Sequence, residues 1–173
     1  GIFSIDDSKK STELFSDRTI NELVKASFEL AKHKTGALIV IENEINLSEY
    51  ERTGINIDAE ISNQLLINIF EHNTPLHDGA VILRENRIVA ATCYLPLSDN
   101  MELSKELGTR HRAGVGVSEN TDSLTIIVSE ETGKVSLAKK GKLTRDVDGN
   151  ALREELVKLQ NKTIDSKRFI LWK

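Results

Sequence analysis

The sequence predicts an α/β domain, a mixed and twisted β-sheet with helices packed around it. Two observations carry that class. Short apolar or β-branched runs (Ala37–Ile41, Val81–Leu83, Ser123–Ser129) are interspersed with stretches whose apolar residues recur at helical spacing. Tight turns at Glu85-Asn86 and Glu131-Thr132-Gly133 join neighbouring strand candidates as hairpins, so the sheet mixes strand directions. The 173 residues contain no internal repeat, low-complexity tract or Gly/Ser linker, and 39% hydrophobic content suffices for one core. The expectation is one domain.

Residues 1–15 show no period and read as an N-terminal tail or arm. Thr19 and Glu22 have capping-box spacing, and Ile20, Leu23, Val24, Ser27, Phe28 and Ala31 follow at helical intervals. Gly36 is the expected stop. Ala37–Ile41 reads as a buried strand. Asp58 is placed as the cap of a second helix carrying Ile61, Leu65, Leu66, Ile69 and Phe70, which Asn73 and Pro75 end. Strands follow at Val81–Leu83 and Ile88–Tyr94, and Pro96 breaks the second. Ser123–Ser129 and Lys134–Ala138 make a hairpin. Residues 149–160 form an amphipathic helix through Leu152, Leu156 and Leu159, and Arg168–Lys173 reads as an edge strand or tail.

Composition narrows the function. A formal charge of −4 argues against coating nucleic acid by bulk charge. No apolar run approaches the ~20 residues that cross a bilayer. The lone Cys93 forms no internal disulfide and reads as a small buried hydrophobe. These features suggest a reduced, intracellular, soluble chain. The first residue is Gly1 rather than Met, which suggests a piece of a longer protein.

Two segments do not look like packing. His77-Asp78-Gly79-Ala80 puts a carboxylate and a glycine at the mouth of a strand, where a ligand can approach the backbone; the plain alternative is an Asp-Gly turn. Thr109-Arg110-His111-Arg112 concentrates positive charge in an acidic protein. Arginine grips phosphate oxygens in pairs and histidine can donate to the same group; the alternative is a solvated charged stretch. Gly108, Gly114 and Gly116 weaken the helix around it, which favours an anion site with close backbone contact. A third candidate, Ser129-Glu130-Glu131-Thr132-Gly133, could hold Mg²⁺ or Mn²⁺ through oxygen ligands, although acidic hairpin turns are common. Lys134–Arg145 holds five basic residues and no acid and reads as a solvated hairpin face. The P-loop, the dinucleotide fingerprint and G-x-S-x-G are all missing.

Together, Asp78-Gly79-Ala80 and Arg110-His111-Arg112 resemble the paired signature motifs of the diadenylate cyclase domain. Gly36–Val40, Asn73–His77, Cys93–Leu97, Glu106–Thr109 and Val128–Gly133 resemble that family's flanking text, over roughly residues 20–140. The likeness is greatest to the membrane-anchored class. It implies a catalytic domain at residues 16–160, with 161–173 as a C-terminal tail or edge strand. It implies a cytoplasmic location beside an anchor that lies outside this chain. The implied reaction condenses two ATP into cyclic di-AMP and two pyrophosphates, with Mn²⁺, Mg²⁺ or Co²⁺ as cofactor.

By resemblance, Asp78 holds the metal and orients the 3′-hydroxyl, with His77 and Glu131 as further metal ligands. Gly79 and Ala80 lie against the nucleotide, Tyr94 and Leu95 contact adenine, and Thr109, Arg110, His111 and Arg112 hold phosphates. Ser129 and Glu130 or Glu131 approach the phosphates. A symmetric product implies a face-to-face homodimer. The class also implies a membrane-bound regulator and phosphoglucosamine mutase as partners. Two other readings are an HD-type phosphohydrolase, suggested by His77-Asp78, and a nucleotide-sensing module without turnover.

Overall fold

The computed structural model describes the backbone of residues 13–171. Seven strands form one sheet in the order β2-β4-β3-β1-β5-β6-β7. They are β1 (Ala37–Ile41), β2 (Ile55–Glu60), β3 (Ala80–Arg84), β4 (Arg87–Cys93), β5 (Leu124–Val128), β6 (Val135–Lys139) and β7 (Lys142–Thr144). Only β1 and β3 pair in parallel; the other pairings are antiparallel, so the sheet is mixed as expected. The helices are α1 (Asp17–Lys32), α2 (Ser48–Glu51), α3 (Asn63–Phe70), α4 (Thr109–Asn120) and α5 (Gly149–Leu171).

Both faces of the sheet are covered, and this explains why the central strands are apolar throughout. Ala37, Ile39 and Ile41 of β1 join Val81, Leu83, Leu124 and Ile126 in a core shared with Leu23 of α1, Leu66 of α3 and Leu152 of α5. Leu38 and Val40 face the other way, with Ile82, Ile127 and Val115 of α4.

Several boundaries differ from the expectation. The cap of α1 is Ser16, whose Oγ accepts from Thr19 N at 3.3 Å. Thr19 and Glu22 lie a turn inside and bind other elements: Thr19 Oγ1 donates to Asn86 Oδ1 at 2.7 Å, and Glu22 Oε2 accepts from Asn63 Nδ2 at 2.9 Å. The helix closes through Lys34 at φ 50°, with Lys34 N donating to Ala31 O and Thr35 N to Leu30 O. That double bond is a Schellman ending with lysine in the left-handed position, so Gly36 is not the stop.

Asp58 is not a helix cap. It sits in β2 at φ 50°, at a register shift against β4, and its Oδ1 accepts from Arg87 Nε at 2.8 Å. Aspartate tolerates left-handed backbone, so the residue read as a cap makes a bulge. Ser62 caps α3, which already ends at Phe70, before Asn73 and Pro75. Arg168–Lys173, read as an edge strand or tail, is helix as far as Leu171, because α5 runs through. Residues 1–12 and 172–173 lie outside the described residues. Leu14 and Phe15, read as part of a loose arm, are buried in the core, and the Phe15 carbonyl accepts from Gln160 Nε2 at 2.8 Å.

Candidate active site

The starts of β1, β3 and β6 and the ends of β4 and β5 lie at one edge of the sheet, as their pairings require. The N-terminus of α4 reaches the same edge, and together they enclose a cavity of about 1060 Å³. That is just above the roughly 300–1,000 Å³ typical of ligand pockets.

Asp78 and Gly79 open β3. Gly79 has φ 88°, and a Cβ there would lie 3.0 Å from the Cys93 carbonyl, so only glycine lets β3 pass so close to β4. The Asp78 side chain is 87% exposed, and its Oδ1 lies 3.3 Å from His77 Nε2. His77 Nδ1 lies 2.6 Å from the Thr74 carbonyl and donates to it, which leaves Nε2 of a neutral ring without a proton. Two acceptors then face each other, and a proton or a cation between them reconciles the pair. Across the strand, Tyr94 N donates to Thr53 Oγ1 at 2.8 Å, which fixes the backbone where β4 leaves the sheet. Tyr94 itself is 76% exposed.

Gly108 is the N-cap of α4 and offers no side-chain cap, so the free N–H groups of the helix's first turn add to the positive end of its dipole at the pocket. Arg110 lies over Gly36 and pairs with Glu130 Oε2 at 3.4 Å. His111 is buried, and burial, followed by the charges of Arg145 and Arg110, holds its pKa below the usual range. Neutral at pH 7, it retains one N–H to donate. Burial pushes the Cys93 thiol, also in the pocket wall, up to about 11. Gly114 and Gly116 let α4 lie directly on β5 and on the Pro96 carbonyl. The weak helical composition is therefore a packing requirement.

Ser129 Oγ accepts from the backbone N–H groups of Glu131 and Thr132, both at 3.2 Å, and folds the turn after β5. That turn carries exposed Glu130 and Glu131 along the pocket.

The cavity thus gathers His77, Asp78, Gly79, Tyr94, Leu95, Thr109, Arg110, His111, Ser129, Glu130 and Glu131. It does not gather Ala80, fully buried in β3, or Arg112, which is half-buried and outside the pocket lining. His77, Asp78 and Glu131 share the pocket, but no group of three metal-binding side chains forms among the described residues. Sequence reasoning missed Glu106, Lys134 and Arg145, which also line it. The signal was the acid-free basic run from Lys134 to Arg145, whose two ends stay solvent-exposed and border the pocket.

A family pattern described as DAC, DisA bacterial checkpoint controller nucleotide-binding, matches residues 24–143. Cyclic di-AMP synthase CdaA of Bacillus subtilis is 58% identical over 139 residues, covering 80% of this chain and 51% of that protein. A diadenylate cyclase of Listeria monocytogenes is 52% identical over 157 residues, 89% of this chain and 57% of that one. The chain therefore spans about half the length of these curated relatives. The crystal structure of a double-mutant DacA from Staphylococcus aureus superposes with a TM-score of 0.82 at 49% identity, covering 83% of this chain and 96% of that one. A Bacillus cereus structure described as a hypothetical membrane spanning protein gives 0.71 at 43% identity, covering 73% of this chain and 62% of that one. No described helix here is long and apolar enough to cross a membrane.

Proposed function

This chain belongs to the DAC family of nucleotide-binding domains, and from that premise we propose that it condenses two ATP molecules into cyclic di-AMP, releasing two pyrophosphates. One observation carries the reading: a single cavity places the Asp78 carboxylate, the positive first turn of α4 and the Ser129–Thr132 turn around one space large enough for a nucleotide. Each 3′-hydroxyl oxygen attacks the α-phosphorus of the other ATP. The bond from that phosphorus to the β-phosphate oxygen breaks, and pyrophosphate leaves. Such transfers depend chiefly on positioning and charge stabilisation.

In this reading Asp78, exposed at the strand mouth, orients the 3′-hydroxyl and takes its proton. Gly79 lets the ribose lie against the backbone, and Tyr94 and Leu95 flank adenine. Arg110 and the N–H groups of Thr109 and His111 meet phosphate oxygens, while the neutral His111 donates a further hydrogen bond. Ser129 and Glu130 border the phosphates. Arg112 supports α4 from outside the cavity.

The donor set suits a divalent cation. His77 Nε2 and Asp78 Oδ1 lie 3.3 Å apart, and Glu131 borders the same space. One or two carboxylates plus substrate phosphates are a usual Mg²⁺ or Mn²⁺ environment. Asp78, with His77 and Glu131, would hold the ion, which when bound supplies charge neutralisation at the reacting phosphate.

One pocket holds one ATP, so the reaction needs two pockets facing each other. Tyr94, Leu97 and Met101 are 76%, 53% and 94% exposed along one segment beside the pocket, an apolar rim suited to a second copy. We place the catalytic unit at residues 16–160, in a protein anchored at a membrane through a segment outside this chain. The part-length match and the membrane-spanning relative support that placement. A membrane-bound regulator and phosphoglucosamine mutase are partners implied by the family resemblance.

The test is Asp78→Asn. Because Asp78 is exposed and outside the adenine wall, the variant should fold normally and bind ATP, yet form at least ~100-fold less cyclic di-AMP. Undiminished turnover would remove Asp78 from the chemistry.

A further inference from the structure

We propose that Arg145 holds the β,γ-phosphates of ATP and the departing pyrophosphate, and that Glu106 is its counterion while the pocket is empty. This rests on the cyclase reading of the same pocket.

Among the described residues, three Arg or Lys side chains line the cavity, and each has an exposed acidic partner: Arg110 with Glu130 at 3.4 Å, Lys134 with Asp146 at 3.9 Å, and Arg145 with Glu106 at 2.9 Å. Only the last pair is at hydrogen-bond distance, Arg145 Nη2 donating to Glu106 Oε1. It joins the residue after β7 to the segment before α4, and both side chains remain largely solvent-exposed. Exposed pairs of this kind contribute little to folding, so they are readily exchanged for another anion. A polyphosphate offers a guanidinium several charged oxygens where one carboxylate offers two. The charge of Arg145 is also felt at His111, whose protonation it opposes alongside Arg110.

The sheet order supplies the direction. Tyr94 lies at the end of β4 and Lys134 just before β6, four strand spacings apart across β4-β3-β1-β5-β6, or about 19 Å. An ATP whose adenine rests by Tyr94 and whose phosphates pass Arg110 extends its distal phosphates toward Lys134 and Arg145. Cyclic di-AMP has no β- or γ-phosphate and does not reach them.

The experiment measures three constants for wild type, Arg145→Gln, Arg145→Lys and Glu106→Gln: the KM for ATP, inhibition by inorganic pyrophosphate, and the affinity for cyclic di-AMP. Arg145→Gln should raise the KM and the pyrophosphate inhibition constant about tenfold, with Arg145→Lys between it and wild type. Glu106→Gln should lower both, by about two- to threefold, because a competing anion is gone. Cyclic di-AMP affinity should not change in any variant. If the ion pair were only a tether, Arg145→Gln and Glu106→Gln would shift the constants in the same direction, and that result overturns the proposal. Unchanged pyrophosphate inhibition in Arg145→Gln also overturns it. A wild-type protein that neither makes nor binds cyclic di-AMP would instead overturn the cyclase reading, an outcome independent of Arg145.

Discussion

Replacing Gly36 with alanine separates the position of Arg110 from the stability of the fold. Gly36 lies just before β1, outside the left-handed region, so alanine suits its backbone. Its Cβ would lie 2.9 Å from Arg110 Nε and closer still to Cζ and Nη1, where ordinary contact needs 3.4–4 Å. The guanidinium must therefore withdraw by roughly 1 Å, given the steepness of close-range repulsion. Because it is the end of a flexible side chain, the stability cost should be no more than about 1 kcal/mol. A displacement of ~1 Å at a group that positions a reacting phosphate can cost about 100-fold in rate. Gly36→Ala should therefore cut kcat/KM for cyclic di-AMP formation by ~10- to 100-fold with a melting temperature within about 4 °C of wild type. In an Arg110→Ala background the same substitution should have almost no further effect, since its target is gone. Full activity in Gly36→Ala, or an equal loss in both backgrounds, would refute the claim that Gly36 positions Arg110.

Gly116→Ala should act in the opposite way. Its Cβ would run into the Pro96 carbonyl and lie 3.0 Å from Ser98 N, both backbone, so a loss of about 3 kcal/mol and ~6–12 °C in thermal unfolding is expected. Thr125 Oγ1 is buried with no hydrogen-bond partner among the described residues, so Thr125→Val should be neutral or stabilise by about 1 kcal/mol, read as the denaturant midpoint. His111, held below its usual 6.5 in the fold by burial and by Arg145 and Arg110, gives a signed pH effect. The unfolded chain takes up its proton more readily, so this contribution to stability is complete above pH 6.5 and declines as pH falls toward the folded value. In a melting-temperature series below pH 6.5, His111→Gln should lose less stability on acidification than wild type.

The central strands were legible because both faces of the sheet are covered, which writes β1 and β5 as unbroken apolar runs. Edge strand β2 was not legible. Its Ile-Asn-Ile-Asp-Ala-Glu alternates weakly, four of its six residues are exposed, a bulge interrupts its register, and Asp58 carries the same local signal as a helix cap. The end of α1 was misplaced because a lysine occupies the position glycine usually takes, while the nearby glycine answers to Arg110. The site was legible where chemistry is compact in sequence, at Asp78-Gly79 and Thr109–His111. Glu106, Lys134 and Arg145 were not, because only the β5–β6–β7 meander and the segment before α4 bring them to the pocket. A charge run says nothing by itself about the direction its ends face.

The most direct measurement incubates the protein with ATP and Mn²⁺ over a range of protein concentrations and identifies the products by mass. Cyclic di-AMP with two pyrophosphates per product, at a specific activity that rises with protein concentration as two half-sites associate, is the expected result. ADP, AMP or adenosine as the main product would make the protein a hydrolase. Bound ATP with no product at any concentration would make it a sensor, and either result would contradict the proposed function.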